Sequence, residues 1–443
     1  MSDQPAPASG SVFTGGFGRL WGAAMTSNLA DGVARLAIPL SAVAITKDPV
    51  AIALLSALAF VPWLLFGVPS GIIVDRVDRR HAMAAANAAR VLAAAGVALF
   101  IATDHVTVLV LAIATLVFGL GETLFDNATT AVVPSLVRKS GLDKANGLVQ
   151  AAQVGVDMFV ATPISGLLFS VAVILPMIVG GAGYFVALLL VLMLPASAAR
   201  ARHASGEAVA SVPLKEALGF VWNHHYLRTM VVFTTLIGAA FAFSQAVSAL
   251  LFLEHFKVTP AAFGLVTAGI GIGAVLGSLL SGVVIKVIGR GQTMLWATAL
   301  GGAGLLGVGL APNVGVAVVA YGSAAMGVQM WNVPWGSLRQ AIIPGHMLGR
   351  AIGAIRTVSW SLMPIVTLAG GWVARVNLQL PYIIGGAVSV AVALLAAPLL
   401  LRADSHFPLD VIANPDEPDA LVAGDLVADG DEVATGALVA PAA

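Results

Sequence analysis

The stretch Gly71-Ile-Ile-Val-Asp-Arg-Val-Asp-Arg-Arg80 lies between two long apolar runs, and Gly282-Val-Val-Ile-Lys-Val-Ile-Gly-Arg290 repeats its pattern 211 residues later. A connection this polar and basic is expected outside the hydrocarbon of a bilayer, because ionised side chains are costly inside it. Its return at the same place in two halves of one apolar chain indicates a duplication. The chain is therefore predicted to be a membrane protein built from two similar bundles.

Composition indicates that the rest of the chain crosses a membrane as helices. Apolar residues make up 59% of the sequence and charged residues 10%, whereas soluble domains have about 25% charged residues. Apolar runs long enough to cross roughly 30 Å of hydrocarbon recur along the chain, without the alternation of barrel strands. We predict an all-α fold of twelve transmembrane helices in two six-helix bundles. These spans 1 to 12 cover residues 19–45, 50–74, 82–102, 106–133, 144–169, 172–196, 229–253, 261–287, 292–311, 314–342, 349–374 and 379–401.

Basic residues separate the two sides of the predicted bundles. Fifteen bases fall in one set of alternate connections and tails, and three, Lys47, Lys257 and Arg375, fall in the other set. We call the side of the Gly71–Arg80 loop the basic side and the opposite side the far side. Because basic loops stay on the inner face of a membrane, both termini are expected in the cytoplasm, in a multi-pass protein of the plasma (inner) membrane.

The predicted organisation has five parts. A polar N-terminal tail (1–18) precedes the first bundle (19–196), and a linker (197–228) joins it to the second bundle (229–402). In the linker, Ser211 is a candidate N-cap and Pro213 lies in the first turn of an amphipathic pattern, which predicts a short surface helix. The last segment (403–443) holds nine of the 22 acids and no Lys or Arg, and is predicted to be a disordered cytoplasmic tail.

The first loop motif resembles one that is typical of major facilitator proteins. Those transporters carry Gly-x-x-x-Asp-Arg-x-x-Arg-Arg/Lys between helices two and three, and this chain matches the motif at Gly71, Asp75, Arg76, Arg79 and Arg80. The resemblance implies that Asp75 contacts the positive N-terminus of span 11 and latches the inner gate in the outward-open state. Gly71 is expected to let span 2 approach a neighbour closely. Alternatively, the bases of the loop serve orientation alone.

Further stretches narrow the resemblance. Ser27-Asn-Leu-Ala-Asp-Gly32 and Ile38-Pro-Leu40 on span 1, with Leu142-Asp-Lys-Ala-Asn-Gly147 at the start of span 5, are similar to bacterial exporters of the enterobactin-exporter and macrolide-efflux type. Antiporters of this superfamily carry a glycine-rich pattern on helix five, of which this chain keeps Pro163 and Gly166.

Ionisable side chains inside the predicted spans are candidates for transport, because they are costly to place there. Asp31 and Arg35 lie four residues apart on span 1, and Glu122 and Asp126 lie four apart on span 4, so each pair shares a helix face. In the resembled fold these helices line the cavity, and two carboxylates on one face raise the proton affinity of one of them. Asp31, Glu122 and Asp126 are therefore the predicted proton-coupling residues.

Structural roles remain open for the same side chains. Asp31 and Arg35 could form a static pair along span 1. Asp126 could lie near a membrane end and be hydrated, and Arg90 could pair with Asp157 inside the first bundle.

The second half offers one mid-span cation among neutral groups. Arg356 on span 11 faces no acid of its own half, so it is expected to attract first-half acids or, like Arg35, to bind an anionic substrate or tune the coupling acids. Gln329, Trp331 and Asn332 on span 10 are predicted to contact a bulky amphipathic ligand. Trp331 could instead pack against lipid or a neighbouring helix.

Together these features predict a secondary transporter that exports drugs or siderophore-like small molecules by alternating access, driven by protons. Its partners would be the small-molecule substrate, protons and the lipid bilayer, with no nucleic acid, cofactor or metal, and it is expected to act as a monomer. The alternatives are a proton-coupled importer of a metabolite and a non-transporting scaffold or receptor on the same fold. An enzyme is not expected, because the sequence shows neither a phosphate-binding Gly-Lys-Ser/Thr loop nor a nucleophile triad.

Overall fold

The computed structural model describes residues 15–137, 141–195, 214–344 and 347–403, and within these ranges the regular secondary structure is helical, with no strand. The predicted tails, apart from residues 15–18 and 403, lie outside the described residues. Residues 197–213 of the predicted linker, which include the candidate cap Ser211 and Pro213, also lie outside the described residues. The linker helix itself begins at Leu214 and ends at Asn223.

Helical segments occupy all six predicted spans of the first half. Span 2 is broken at Ala59 and Phe60, just before Pro62. Span 5 contains a π-helical segment of ten residues, a wide-turn geometry that is often found at functional sites. The bounds are Gly15–Ile45 for span 1, Pro49–Leu58 and Val61–Arg76 for span 2, Arg79–Ala102 for span 3, Val108–Leu136 for span 4, Leu142–Ala151, Ala152–Ala161 (π) and Thr162–Val171 for span 5, and Leu175–Leu192 for span 6.

Helical segments also occupy the six predicted spans of the second half. Spans 8 and 9 form one run of fifty residues in which two helices meet at Gly289. The φ of 82° there is a backbone conformation that glycine adopts without steric cost. The bounds are His225–Gln245, Ser248–Leu250 and Leu251–His255 (π) for span 7, Pro260–Gly309 for spans 8 and 9, Val314–Ile342 for span 10, Leu348–Ser361 and Met363–Ala374 for span 11, and Leu380–Leu395 and Ala397–Leu400 for span 12.

Length and hydropathy support the membrane assignment. In the described part of the chain, nine helices are long and apolar enough to cross a bilayer, and Pro260–Gly309 is one of them. Phe159–Val171 and Leu380–Leu395 are shorter apolar helices. The predicted fold class, an all-α membrane protein, is confirmed.

Short polar loops begin the helices. The side chains of Asp48, Asp78, Thr107, Thr259 and Asn313 each accept a hydrogen bond from a backbone N–H in the first turn that follows. These caps satisfy donors that have no partner within the helix. The helix starts are thus fixed at both faces of the bundle by residues that the apolar pattern of the spans does not include.

The apolar core shows how the two halves meet. One large cluster combines first-half residues such as Ile52 and Phe169 with second-half residues such as Phe252 and Tyr382. A second cluster, around Leu227 and Met294, contains second-half residues alone, and a third, around Phe17, Phe125 and Val191, contains first-half residues alone. The shared cluster lies toward the far side and the separate clusters toward the basic side. The two halves therefore pack against each other at their far-side ends, and each has its own apolar core at its basic-side end.

Candidate functional site

A cavity of about 960 Å³ lies between the two halves. Both halves contribute polar side chains to a wall that is mostly apolar, and the aromatic side chains include Phe60, Phe118, Phe241 and Trp360. Six of the residues predicted from the sequence line it, namely Asp31, Arg35, Glu122, Gln329, Trp331 and Asn332. The predicted residues Asp126 and Arg356 do not belong to the lining.

An ion pair joins spans 1 and 4 at the cavity wall. Arg35 Nη2 donates to Glu122 Oε1 at 2.9 Å. The Arg35 side chain is 56% exposed and that of Glu122 is 20% exposed, so the pair is accessible from the cavity. The expected pairing of Arg35 with Asp31 along one helix is wrong, because Arg35 extends across to the neighbouring helix.

Asp31 instead belongs to a buried cluster with Arg90, Asn87 and Tyr184. Arg90 Nη1 donates to both carboxylate oxygens of Asp31 at 2.8 and 3.0 Å, and its Nη2 donates to Asn87 Oδ1 at 2.7 Å. The Tyr184 hydroxyl donates to Asp31 Oδ1 at 2.8 Å. The Arg90 guanidinium also lies 4.7 Å from the Tyr184 ring centroid and 5.3 Å from that of Phe125.

Burial makes this cluster rigid. Arg90, Asn87 and Tyr184 have no exposed surface and Asp31 is 7% exposed. A buried charge of this kind persists only when it is paired and hydrogen-bonded. The expected pairing of Arg90 with Asp157 is wrong for Arg90, whose partner is Asp31; the Asp157 side chain lies outside the described residues.

Span 6 positions the tyrosine of this cluster through a close helix contact. A Cβ at Gly183 would lie 3.1 Å from Ala30 Cβ and 3.2 Å from Thr26 O, so a side chain there would have to push span 1 away by a few tenths of an ångström. The signal for Tyr184 in the sequence was a lone hydroxyl in an apolar helix, which usually finds a partner when buried. Asn87 and Arg90, three residues apart on an alanine-rich helix, gave a similar signal.

Asp126 lies one turn beyond Glu122 on span 4. Its Oδ2 accepts a hydrogen bond from Gln153 Nε2 of span 5 at 2.9 Å. Within the described residues it has no ion pair, whereas Glu122 has Arg35. The two carboxylates that were predicted to share one face therefore differ in their partners.

Arg356 stacks between two tryptophans from different halves. Its guanidinium carbon lies 4.6 Å from the ring centroid of Trp63 on span 2 and 4.4 Å from that of Trp360 on its own span. Phe60 meets Trp360 edge-on, with ring centroids 6.3 Å apart. The cation is thus held against aromatic faces and has no carboxylate partner within the described chain.

On span 10, the polar residues bond to one another beside the cavity. Asn332 Nδ2 donates to Gln329 Oε1 at 2.8 Å. The Trp331 ring lines the cavity and also packs against Trp335 and Phe233, with centroids 5.7 and 6.3 Å apart. Trp331 therefore packs against a neighbouring helix, and its contact with a ligand stays a prediction.

The Gly71–Arg80 loop is anchored to the first half. Arg79 Nη1 donates to the carbonyl of Ala131 on span 4 at 2.8 Å, and Asp78 caps span 3. Asp75 and Arg76 are exposed, and a Cβ at Gly71 would meet nothing within 4 Å. The close helix approach expected at Gly71 is therefore wrong for this conformation, because the halves are apart on the basic side.

Charged residues join the halves on the far side. Arg375 donates to both oxygens of Asp48 at 3.0 and 2.9 Å, and Lys47 donates to Glu254, which also lies 3.6 Å from Lys257. The hydrogen bond from Arg375 lowers the pKa of Asp48, and that from Lys47 lowers the pKa of Glu254. Both carboxylates are thus ionised where the halves meet.

Glycines also lie where the two halves meet on the far side. A Cβ at Gly166 of span 5 would lie 2.6 Å from the Pro260 carbonyl of span 8, and a Cβ at Gly264 would lie 2.6 Å from the Thr162 carbonyl. We call the paired glycines and the two ion-pair groups around Asp48 and Glu254 the far-side seam. The far-side seam includes Gly166, which is the one glycine of the antiporter pattern that this chain keeps.

The described residues contain no group of three or more His, Cys, Asp or Glu side chains that could hold a metal ion.

Known proteins of similar sequence are exporters by name. The chain is 23% identical over 389 residues to macrolide efflux protein A of Streptococcus pyogenes, which covers 85% of this chain and 94% of that protein. It is 24% identical over 351 residues to the multidrug efflux pump Tap of Mycobacterium tuberculosis (strain ATCC 25618 / H37Rv), which covers 77% and 83%.

The fold also matches solved structures. A bacterial homologue of the iron transporter ferroportin in an inward-facing state aligns with a TM-score of 0.68 at 15% identity, over 88% of this chain and 98% of that one. The family model described as Major Facilitator Superfamily matches residues 20–366. These residues make up more than half of the chain and run from span 1 into span 11, so the chain belongs to the Major Facilitator Superfamily of transporters.

Proposed function

We propose that this transporter exports bulky amphipathic small molecules in exchange for protons. The observation that carries the proposal is the cavity of about 960 Å³, which combines aromatic walls with one accessible ion pair, Arg35 with Glu122. Large apolar pockets with a few placed polar groups suit ligands of this kind. The names of the macrolide and multidrug efflux relatives support export rather than uptake.

The basic side is the cytoplasmic side in this proposal, and the protein acts as a monomer in the plasma membrane with both termini inside. The distribution of basic loop residues supports this orientation. The shared far-side core and the separate basic-side cores then correspond to a cavity that opens to the cytoplasm. Alternating access would bring the basic-side ends together, and Asp75 and Gly71 would meet span 11 in that second state.

Three acids take different roles. Asp31 is held as a fixed counter-ion by Arg90, since protonating it would leave a buried guanidinium unpaired. Glu122 recognises the ligand, because a basic group on the ligand can replace Arg35 as its partner; Gln329, Trp331 and Asn332 contact the ligand from the other half. Asp126 carries the proton, because it has no ion pair among the described residues that a proton would have to displace.

Uptake into inside-out vesicles, whose cytoplasmic face is on the outside, tests export and coupling together. An imposed pH gradient should drive wild-type transport of a fluorescent amphipathic amine, and Asp126→Asn should lose at least about tenfold of the gradient-driven rate while still binding the amine. Asp104→Asn is the matched control, because Asp104 is an exposed first-half acid with φ 56°, a conformation that asparagine accepts.

Two results would contradict the proposal. Transport in the opposite direction under the same gradient would make the protein an importer. Transport by Asp126→Asn at the wild-type rate and with the wild-type response to the gradient would remove Asp126 as the proton carrier.

A further inference from the structure

The two halves contribute different polar groups to the cavity. Its charged residues are Asp31, Arg35 and Glu122, and all three belong to spans 1 and 4. Among the described residues, the second-half part of the lining has no charged side chain, but it has several hydroxyl and amide groups. A ligand that is held by its charge at Glu122 therefore meets a neutral wall of hydrogen-bonding groups on the other side.

Three threonine hydroxyls of that wall already have an acceptor within the protein. Thr234, Thr267 and Thr298 each donate to the carbonyl four residues earlier in their own helix, at 2.7, 2.9 and 2.8 Å. These donors are satisfied by the backbone, so they need no ligand.

Ser248 and Tyr321 differ from the threonines, because their hydroxyls form a cluster with the hydroxyl of Tyr382. Ser248 of span 7 and Tyr321 of span 10 line the cavity, whereas Tyr382 of span 12 has no exposed surface. The Tyr321 hydroxyl interacts with those of Ser248 and Tyr382. Within the described residues, however, the Tyr382 hydroxyl has no hydrogen bond of good geometry. We call these three residues the hydroxyl cluster, and its donors are not fully satisfied by the protein.

Packing holds the rings of the hydroxyl cluster in place. The Tyr321 ring stacks on Phe252, with centroids 6.3 Å apart, and meets Tyr382 edge-on at 5.8 Å. Ser244 of span 7 donates to the carbonyl of Pro381, directly before Tyr382, at 3.1 Å. The hydroxyls are therefore positioned before a ligand binds, which lowers the entropic cost of binding.

The hydroxyl cluster lies farther toward the far side than Glu122. Spans 4 and 10 both begin on the far side, and Glu122 is residue 15 of its helix whereas Tyr321 is residue 8 of its helix. At about 1.5 Å per residue, this difference corresponds to about 10 Å along the bundle. Ser248 lies near the far-side end of span 7, and Tyr382 lies near the far-side end of span 12. The closed end of the cavity therefore presents hydroxyl donors beyond the carboxylate.

We propose that the hydroxyl cluster is a second binding subsite, which takes an uncharged acceptor oxygen of the ligand about 10 Å from the ligand's amine. This inference rests on the proposed recognition of a basic ligand by Glu122. The ligand oxygen accepts hydrogen bonds from Ser248 and Tyr321 at the cavity wall, and Tyr382 is a positioning residue that orients these two hydroxyls. The transporter therefore prefers amphipathic amines with an ether, carbonyl or hydroxyl oxygen at the far end over amines with a hydrocarbon end.

Equilibrium binding of two matched probes tests the subsite without a gradient. Both probes are tertiary amines with the same rigid aromatic body. One has an ether oxygen about 10 Å from the nitrogen, and the other has a methylene group in its place. Affinities would be measured by calorimetry on the full chain in nanodiscs. The wild type should bind the ether probe about threefold to tenfold more tightly, which is the usual contribution of one hydrogen bond.

Hydroxyl deletions should change this preference and not the affinity for the methylene probe. Ser248→Ala and Tyr321→Phe should each reduce the preference for the ether, and the double variant should remove it. Tyr382→Phe should reduce it less than the double variant does, because the two direct donors remain. Tyr226→Phe is the matched control and should keep the full preference, because it removes a buried hydroxyl of the same half outside the cavity lining.

Equal affinities of the wild type for the two probes, including no binding of either, would overturn the subsite. A preference that survives in the Ser248→Ala, Tyr321→Phe double variant would overturn it as well. Vesicle uptake of the fluorescent amine then shows whether the proposed function fails too.

Glu122→Gln separates the subsite from the recognition of the amine. It should weaken the binding of both probes by the same factor and leave the preference for the ether unchanged. Wild-type affinities in Glu122→Gln would contradict the proposed role of Glu122, while the ratio of the two affinities would still report on the hydroxyl cluster.

Discussion

At the scale of single residues, the contrast between Asp31 and Asp126 determines what the first half can do. Asp31 accepts three hydrogen bonds, two of them from a guanidinium with no exposed surface. Asp126 accepts one hydrogen bond from a neutral amide among the described residues. A fixed ion pair stabilises the bundle in one arrangement, whereas a carboxyl without a cation can exchange a proton at smaller electrostatic cost. The contacts of Asp31 therefore suit a structural role, and those of Asp126 suit the proton transfer that we propose.

Removal of either partner of the buried pair should destabilise the protein. Asp31→Asn or Arg90→Gln leaves an uncompensated buried group and should cost about 3–5 kcal/mol of unfolding free energy. The double variant should recover part of this loss, because no buried charge then remains unpaired. Thermal unfolding in detergent measures the effect, and Arg35→Gln, which removes a half-exposed member of the Arg35–Glu122 pair, should change stability far less. Equal losses for Arg90→Gln and Arg35→Gln would contradict this account.

The sequence identified the ionisable residues but not their partners. Spacing along a helix states which residues share a face, and on that basis Asp31 was paired with Arg35. The partner of Asp31 is decided instead by how spans 1, 3 and 6 approach one another, which depends on small residues such as Gly183. Long-range geometry of this kind has no signature in a single apolar helix. The membership of the cavity was more predictable, because six of the predicted residues line it.

At the scale of helices, the far-side seam depends on two glycines that meet across the halves. Spans 5 and 8 approach so closely at Gly166 and Gly264 that a Cβ on either would overlap a carbonyl of the other. Bulky side chains lie on both sides of this contact in the shared core. The closed seam therefore depends on glycine at these two positions as well as on its ion pairs.

Gly166→Ala should weaken far-side closure without unfolding span 5. The added methyl group must push span 8 away, so the closed seam is disfavoured while each helix remains intact. Spin labels at Ala102→Cys and Pro312→Cys, two exposed far-side positions, should report longer distances, and export should slow. Gly155→Ala is the matched control on the same span, because a Cβ there meets nothing within 4 Å. Identical distances in the two variants would show that the seam tolerates a side chain.

Helix positions followed from apolar runs, yet two local geometries did not. Residues 152–161 form a π-helical turn although their apolar pattern resembles that of an ordinary helix. The helices of spans 8 and 9 meet at Gly289 with no loop between them, where the sequence predicted a connection of several residues. Both features depend on backbone hydrogen-bond register and not on hydropathy. The repeat of the loop motif at Gly282–Arg290 predicted where spans 8 and 9 meet, but it did not predict the backbone conformation there.

At the scale of the whole molecule, the two halves share one core on the far side and have separate cores on the basic side. Apolar surface buried at the far side therefore favours the observed arrangement, and the ion pairs of Asp48 and Glu254 add to it. Exposed ion pairs of this type stabilise a structure only slightly, because water screens them. Two small contributions of this size are suited to a contact that must open and close in every transport cycle.

Acid should loosen the far-side seam, because its two carboxylates lose their charge. The partners lower the pKa of Asp48 and Glu254, so their stabilising effect is complete above ordinary carboxyl values and is lost as the pH falls through the lowered values. The distance between spin labels at Ala102→Cys and Pro312→Cys should therefore lengthen as the pH falls below about 4. Asp48→Asn with Glu254→Gln should lengthen it at neutral pH. An acid response that survives in this double variant would assign the effect to other groups.

The cluster around Arg90 also constrains the order in which the protein can be made. Its members are separated along the chain, since Asp31 lies on span 1, Asn87 and Arg90 lie on span 3, and Tyr184 lies on span 6. While the ribosome is still short of residue 184, Asp31 lacks the hydroxyl that donates to it and Arg90 lacks one of its two aromatic faces. Co-translational assembly of the first bundle can therefore finish only when its last helix leaves the translocon. Until then, the ion pair of Asp31 with Arg90 has to hold spans 1 and 3 together without the third helix of the cluster.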